Sequence, residues 1–155
     1  MMIRETRPVE ILLVEDNPGD VRLTKEALKD GDIPHHLSVV QDGEEAMMYL
    51  RGHSPFRGAA RPDLILLDLN LPKKDGRQVL EDVKNDPELK EIPIVVLTTS
   101  RADYDITSAY DLQANCYIQK PVDLNQFWAI VRWIEKFWLS TAALPSHAKV
   151  KIQDV

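Results

Sequence analysis

Short aliphatic runs alternate with amphipathic stretches along most of this chain, and that alternation limits the possible folds more than any other feature. The apolar runs predict five strands, over residues 11–14, 37–40, 64–67, 94–97 and 116–118. The first, third and fourth runs contain only Ile, Leu and Val. Such runs are typical of strands that are buried on both faces of a parallel sheet.

The stretches between the strands predict helices over residues 19–29, 43–51, 76–85, about 102–112 and about 125–138. Pro18 suits the start of the first helix because its φ is already near the helical value, and Asp123 suits the N-cap of the last helix. Strands that alternate with helices favour right-handed βαβ units. We therefore predict an α/β fold, a three-layer sandwich around a doubly wound five-stranded parallel sheet in the flavodoxin-like order 2-1-3-4-5.

Two segments fall outside the alternating pattern. Residues 52–62 are rich in Gly, Pro and basic residues, which predicts a surface loop before the third strand. The composition becomes polar after Leu144 and Pro145. We expect a single domain over residues 1–145 and a flexible tail over residues 146–155, with no room for a second domain.

Charge and cysteine content narrow the class of partner and the compartment. The formal net charge is −6 and there is no run of five basic residues, which disfavours nucleic acid as a partner. No apolar run approaches the roughly 18 residues of a membrane helix, and the charged N-terminus lacks the apolar core of a signal peptide. The single cysteine, Cys116, cannot form an internal disulfide. We expect a soluble cytoplasmic protein that does not bind membranes.

The residues just beyond the predicted strands carry the functional information. Glu15 and Asp16 follow the first strand, Asp68 follows the third, Thr98 follows the fourth and Lys120 follows the fifth. Ligands of open α/β sheets bind outside the carboxyl ends of the strands, so we expect these groups at one edge of the sheet. A single strand-end carboxylate is usually a cap or turn residue, but polar groups at four strand ends together indicate a site.

Three carboxylates at one sheet edge repel one another unless a cation lies between them. Oxygen ligands alone favour Mg²⁺ or Mn²⁺ over zinc. A carboxylate nucleophile beside such a metal, an ammonium group and a hydroxyl is what phosphoryl transfer to aspartate requires. We therefore expect Asp68 to be the nucleophile, with Lys120 and the hydroxyl of Thr98 beside the transferred group.

Four motifs together resemble the receiver domains of response regulators in two-component signalling. They are Leu-Val-Glu-Asp-Asn at 13–17, Leu-Leu-Asp-Leu-Asn-Leu-Pro at 66–72, Leu-Thr-Thr-Ser at 97–100 and Lys-Pro at 120–121. The resemblance extends over residues 9 to about 139. It implies that a sensor histidine kinase phosphorylates Asp68. The chain would then be a signalling protein that catalyses only its own phosphorylation and dephosphorylation, and its signal would leave through protein–protein contacts or a phosphorelay.

The resemblance also implies a set of metal ligands. Asp16 and Asp68 would bind Mg²⁺ directly, Glu15 would act through water, and the backbone carbonyl of Asn70 would complete the site. The alternative of a haloacid-dehalogenase-type phosphatase needs a second aspartate two positions after the nucleophile, and Asn70 stands there. A flavin-binding protein is opposed by the acidic first loop, and a degenerate binding module is opposed by the complete set of side chains.

The resemblance further implies a switch and a class of partner. Thr98 and Lys120 would bind the phosphoryl group, and Tyr117 falls at the aromatic switch position of the family. The loop 52–62, the turn 71–76 and Phe-Trp-Leu at 137–139 resemble small regulators that serve phytochrome-type histidine kinases.

Aromatic residues are concentrated in the last predicted helix, since all three tryptophans and two of the three phenylalanines lie within residues 127–138. One helical stripe is expected to face the core: Phe127, Ile130, Val131, Ile134 and Trp138. Trp133 and Phe137 widen this stripe to an arc of about 160°, more than one sheet face covers. They either pack on the preceding helix, near Tyr110 or Leu112, or form an interface. We expect the second, and hence a homodimer.

Overall fold

Five strands form one parallel sheet in the order β2-β1-β3-β4-β5, which confirms the predicted topology. The computed structural model describes residues 7–31, 33–98, 114, 116–121 and 123–141, with the backbone alone for residues 98 and 139–141. The strands are β1 Val9–Val14, β2 His35–Val40, β3 Leu64–Leu67, β4 Ile94–Thr98 and β5 Cys116–Gln119.

The described helices are α1 Pro18–Lys29, α2 Gly43–Arg51, α3 Gly76–Asn85 and α4 Leu124–Ile134, and a π-helical segment, Glu135–Thr141, continues α4. The helix predicted over residues 102–112 and the tail predicted over residues 146–155 lie outside the described residues. The domain boundary at residue 145 therefore stays a prediction. Within the part of the chain that the structure describes, no helix is long and apolar enough to cross a membrane.

The aliphatic strands are buried on both faces, which explains why their sequences do not alternate with polar residues. Odd and even positions of β1 and β3 point to opposite faces. One face packs against buried side chains of α2 and α3, and the other packs against buried side chains of α1 and α4. The sheet is thus the middle of three layers.

Each described α-helix begins with a side chain that accepts hydrogen bonds from the backbone of its first turn. The capping residues are Asn17, Asp42, Asp75 and Asp123. Pro18 occupies the first turn of α1 and Asp123 caps α4, as predicted. The caps of α1, α2 and α4 follow β1, β2 and β5 within a few residues, so these helix N-termini lie at the carboxyl edge of the sheet. Their partial positive charge favours anions at that edge.

Two glycines allow close packing beneath this edge. A Cβ on Gly43, the first residue of α2, would overlap the carbonyl oxygen of Lys74, and a Cβ on Gly76 would overlap the carbonyl oxygen of Asp68. The Gly76 N–H also donates to the carbonyl oxygen of Leu69, at 3.0 Å. These contacts fix the loop after β3 against the strand end that carries Asp68.

The last helix differs from the prediction. We predicted one helix over residues 125–138, whereas the α-helix ends at Ile134 and the chain winds as a π-helix through Thr141. The change begins at Glu135, which is buried, and its carboxylate fills the space that a Cβ on Gly31 would occupy. Gly31 lies just beyond α1, so this packing depends on a partner that is distant in sequence and could not be read from the local pattern.

Candidate functional site

The first part of the site is the acidic pair after β1. The Glu15 N–H donates to the carbonyl oxygen of Val40, at 3.0 Å, which fixes the pair at the carboxyl end of the sheet. Glu15 is 3% exposed, whereas Asp16 is exposed to solvent. The Asn17 N–H donates to Glu15 Oε2, at 3.2 Å. One carboxylate is therefore buried in the edge and the other faces outward beside it.

Asp68 lies directly after β3, next to β1 in the middle of the sheet. Its N–H donates to the carbonyl oxygen of Val14, at 3.1 Å, and its Oδ1 accepts from the Asn70 N–H, at 2.9 Å. The residue is 7% exposed. The strand end and the turn thus orient this carboxylate, which keeps a small exposure to solvent.

Lys120 comes from the far side of the sheet, directly after β5, and is 5% exposed. Its Nζ donates to Asp68 Oδ2 at 3.1 Å, to Asp20 Oδ2 at 2.8 Å, and to Glu15 Oε1. Burial alone would lower the pKa of Lys120, but the hydrogen bonds that its ammonium donates to Asp20 and Glu15 outweigh the effect of burial and raise the pKa above its ordinary value. The ammonium therefore stays protonated.

The carboxylates of Glu15, Asp16 and Asp68 meet the geometry of a metal site, because one oxygen from each lies within 4.8 Å of the others. Burial raises the pKa of Glu15 to about 7, the charge of Asp68 raises it as well, and Lys120 opposes the shift. Burial is the main cause of this shift, and a cation bound at the cluster would oppose it. The donor set contains oxygen alone and fits a hard divalent cation.

The structure thus brings together Glu15, Asp16, Asp68 and Lys120, the side chains that the sequence placed at three different strand ends. Asn70 lies beside them and donates its N–H to Asp68, but its role as a carbonyl ligand stays a prediction.

The two residues predicted to act as a switch are placed less completely. Thr98 ends β4 at the same edge, and its side chain lies outside the described residues. Tyr117 lies in β5, half-buried against the core on the α2 and α3 side of the sheet. Burial raises the pKa of Tyr117, and the positive charge of Arg77 lowers it, so the phenol lies near the start of α3. Its switch role stays a prediction.

Sequence reasoning missed Asp20, which is the partner of Lys120 in the first turn of α1. We searched the ends of the strands, whereas Asp20 follows β1 by six residues and belongs to a helix. A signal was nevertheless present. A helix that starts directly after a strand has its first turn at the carboxyl edge of the sheet, so an acidic residue there can reach the site.

The comparisons with known proteins agree with this geometry. Residues 11–132 match the response regulator receiver domain family. The chain therefore belongs to the response-regulator receiver family, in which phosphorylation of an aspartate and binding of a divalent metal are typical. It is a protein of two-component signalling, and a histidine kinase is the partner that this family implies.

Among curated relatives, the response regulator Rcp1 of Synechocystis sp. is 49% identical over 139 residues, which cover 90% of this chain and 95% of that protein. The crystal structure of the phosphorylated cyanobacterial phytochrome response regulator RcpA is 57% identical, has a TM-score of 0.87, and is matched over 90% of this chain and 99% of that one. The Mn²⁺-bound form of Rcp1 is 49% identical, also with a TM-score of 0.87, and is matched over 89% of this chain and 99% of that one. The match covers almost all of both solved chains, so the similarity extends over their whole fold.

Proposed function

We propose that Asp68 accepts a phosphoryl group from a sensor histidine kinase in a Mg²⁺-dependent reaction. One observation carries this assignment: the Asp68 carboxylate lies in a cluster suited to a divalent metal and 3.1 Å from the ammonium of Lys120. In the transfer, a carboxylate oxygen of Asp68 forms a bond to phosphorus as the bond between phosphorus and the histidine nitrogen of the kinase breaks. Lys120 offsets the negative charge on the phosphoryl oxygens.

Asp16 and Asp68 would hold Mg²⁺, with Glu15 acting through water and the carbonyl oxygen of Asn70 completing the set. Bound Mg²⁺ would supply a positive charge next to the phosphoryl oxygens. The chain's own residues orient the nucleophile. The Asn70 N–H holds Oδ1 of Asp68, and Lys120 holds Oδ2, so the nucleophile is oriented before the donor arrives. Self-catalysed loss of the phosphoryl group to water belongs to the same proposal.

Phosphorylation is expected to require the metal. Acetyl phosphate with Mg²⁺ should add one phosphoryl group to the protein, and EDTA should reduce the labelling rate by about a hundredfold or more, since the incoming group would then meet uncompensated carboxylates. Electrospray mass spectrometry measures the product. Equal labelling with EDTA and with Mg²⁺ would show that the acidic cluster has another role, and Mg²⁺ added in excess of EDTA controls for an effect of the chelator itself.

Thr98 and Tyr117 complete the proposal as the residues that convert phosphorylation into a change of surface. A phosphoryl group adds about two negative charges and three acceptor oxygens, which can attract the Thr98 hydroxyl as well as Lys120. Movement of Thr98 would leave space for the Tyr117 ring. The Thr98→Ala variant is expected to be phosphorylated and yet to lose most of the change in affinity for its partner. Titration calorimetry with and without phosphorylation measures this, and an unchanged response would contradict it.

A phytochrome-type histidine kinase is the proposed donor. This proposal rests on two similarities. One is to the cyanobacterial phytochrome response regulator RcpA, and the other is to the bacteriophytochrome response regulator AtBRR, which is 40% identical with a TM-score of 0.69. The signal would pass onward by protein contact or phosphorelay in the cytoplasm.

We also propose a homodimer through the end of α4 and the π-helical segment. Trp133 is 50% exposed and Phe137 is 41% exposed, and their rings stack with centroids 5.2 Å apart and planes 2° apart. Trp138 supports Phe137 from the side, with an edge contact at 5.4 Å. Exposed aromatic surface of this kind favours an interface, and in a symmetric dimer the same aromatic patch of a second copy would pack against it.

A further inference from the structure

Lys120 hydrogen-bonds to three carboxylates at the site, and it uses its full hydrogen-bonding capacity to do so. A lysine ammonium has three N–H donors. Here its three partners are Glu15, Asp20 and Asp68, each on a different element of the fold. The position of the ammonium is therefore set by a balance of three charged bonds.

Those three partners are not equivalent. Glu15 and Asp68 belong to the cluster whose oxygens lie within 4.8 Å of one another, and Asp20 lies outside that cluster. A divalent cation at the cluster would compete with the ammonium for the oxygens of Glu15 and Asp68, because both are cations drawn to the same carboxylates. Asp20 is the partner for which this competition does not arise.

Asp20 is also held rigidly. Its N–H donates to Asn17 Oδ1, the cap of α1, at 3.0 Å, and its carbonyl oxygen accepts from Thr24 Oγ1 at 2.8 Å. Its side chain is 25% exposed, compared with 3% for that of Lys120, so the carboxylate lies on the solvent side of the ammonium. A helix places this carboxylate more firmly than a loop would, and a charged bond to it is stronger than a neutral one.

We propose that Asp20 is a positioning residue that holds the Lys120 ammonium beside Asp68 while Glu15 and Asp68 are engaged by the metal and the phosphoryl group. Asp20 does not touch either of them in this role, and it acts only through Lys120. The inference rests on the proposed function, since it describes how the phosphoacceptor site is kept in order. It predicts a cost in rate when Asp20 is changed, with little effect on metal binding.

The Asp20→Asn variant tests this, because it keeps the shape of the side chain and removes the charge. Glu26→Gln is the matched control: Glu26 lies on the same helix and pairs with Arg22 at 3.3 Å on the exposed side, so it makes the same change in net charge away from Lys120. Asp20→Glu keeps the charge and lengthens the side chain, and it should restore part of what Asp20→Asn loses.

The first measurement needs no metal. In EDTA, nitrogen-15 NMR of lysine side chains should show the Lys120 ammonium protected from proton exchange in the wild type and in Glu26→Gln, and exchanging faster by about tenfold or more in Asp20→Asn, since one of three charged bonds is gone. Equal protection in Asp20→Asn and wild type would overturn the proposal. Far-ultraviolet circular dichroism checks that each variant is folded. If Asp20→Asn does not fold, the same measurement is made on Asp20→Glu.

The second measurement is the labelling rate with acetyl phosphate, first at a Mg²⁺ concentration that saturates the wild type and then at higher Mg²⁺. Asp20→Asn should be slower by about fivefold or more, with a Mg²⁺ midpoint within about twofold of wild type, and Glu26→Gln should match wild type. An unchanged rate would overturn the proposal, and so would a rate that recovers fully when Mg²⁺ is raised, because Asp20 would then act on the metal. A wild type that takes up no phosphoryl group would instead refute the proposed function itself.

Discussion

The Asp68→Asn variant is expected to take up no measurable phosphoryl group, a loss of about a thousandfold or more in labelling rate, because an amide is not a nucleophile for phosphorus in place of a carboxylate. The change is nearly isosteric, so the Asn70 N–H keeps an oxygen acceptor at this position. Electrospray mass spectrometry after treatment with acetyl phosphate and Mg²⁺ measures the effect directly.

The same strand offers a matched control. Asp63 directly precedes β3, at the opposite end from Asp68, and it is 5% exposed. It accepts two hydrogen bonds from Arg7, both at 2.8 Å, and one from the Glu10 N–H, at 2.9 Å. Asp63→Asn should lower thermal stability yet accept the phosphoryl group at the wild-type rate. Labelling of Asp68→Asn at a rate near that of Asp63→Asn would remove Asp68 as the nucleophile.

The choice of donor adds a second comparison to this experiment. A phosphorylated phytochrome-type histidine kinase should transfer its phosphoryl group to the wild type faster than an unrelated histidine kinase does, and neither should label Asp68→Asn. Equal rates from both kinases would leave Asp68 as the acceptor and withdraw the phytochrome-type partner. The two parts of the proposed function can therefore fail separately.

The fold was predictable because its signal is local and repeated. Leu12 and Leu13 lie on opposite faces of β1 and both are buried, which is the arrangement that an unbroken aliphatic run predicts. Once the strand order is known, the carboxyl ends of β1, β3 and β5 must meet at one edge. The meeting of Glu15, Asp68 and Lys120 follows from that topology, although Lys120 is 105 residues from Glu15.

Two contacts that we did not predict from the sequence depend on the direction in which side chains point. Asp20 reaches Lys120 because the first turn of α1 faces the site, and nothing in the spacing of residues reports the tilt of a helix. The burial of Glu135 depends on Gly31, a residue about one hundred positions earlier that lacks a side chain. Both contacts join α1 or its end to a segment from the last third of the chain. Periodicity within one element cannot predict contacts of this kind.

A second large effect is expected on the proposed homodimer. At micromolar concentration the wild type is expected to sediment as a dimer, and the double variant Trp133→Glu, Phe137→Glu should be a monomer, with dimer affinity weakened by about a hundredfold or more. Each substitution places a charge where an aromatic ring would be covered by the partner copy, so both the lost apolar contact and the cost of burying a carboxylate oppose association.

The exposed area of Trp133 and Phe137 is large enough for the centre of an interface, and it is too small for a complete one. A fully covered aromatic side chain buries about 150–250 Å². Half of Trp133 and somewhat less of Phe137 are exposed, so two stacked pairs form the centre of an interface and not the whole of it. A specific interface needs about 1,200 Å², and neighbouring residues of α4 and the π-helical segment must supply the remainder. Aromatic residues at the centre are the ones whose loss costs most.

Leu124 supplies the control for this experiment, since it lies on α4, is 69% exposed and is as apolar as the proposed interface residues. Leu124→Glu should remain a dimer if the stacked pair is the interface, because Leu124 lies at the opposite end of the helix. Sedimentation velocity with and without phosphorylation distinguishes the outcomes. A wild type that is monomeric in both states would refute the dimer, and dissociation of Leu124→Glu to the same extent as the double variant would move the interface to the start of α4. Because α4 begins four residues after Lys120, this helix would connect the proposed phosphoacceptor site to the surface that we propose meets the second copy.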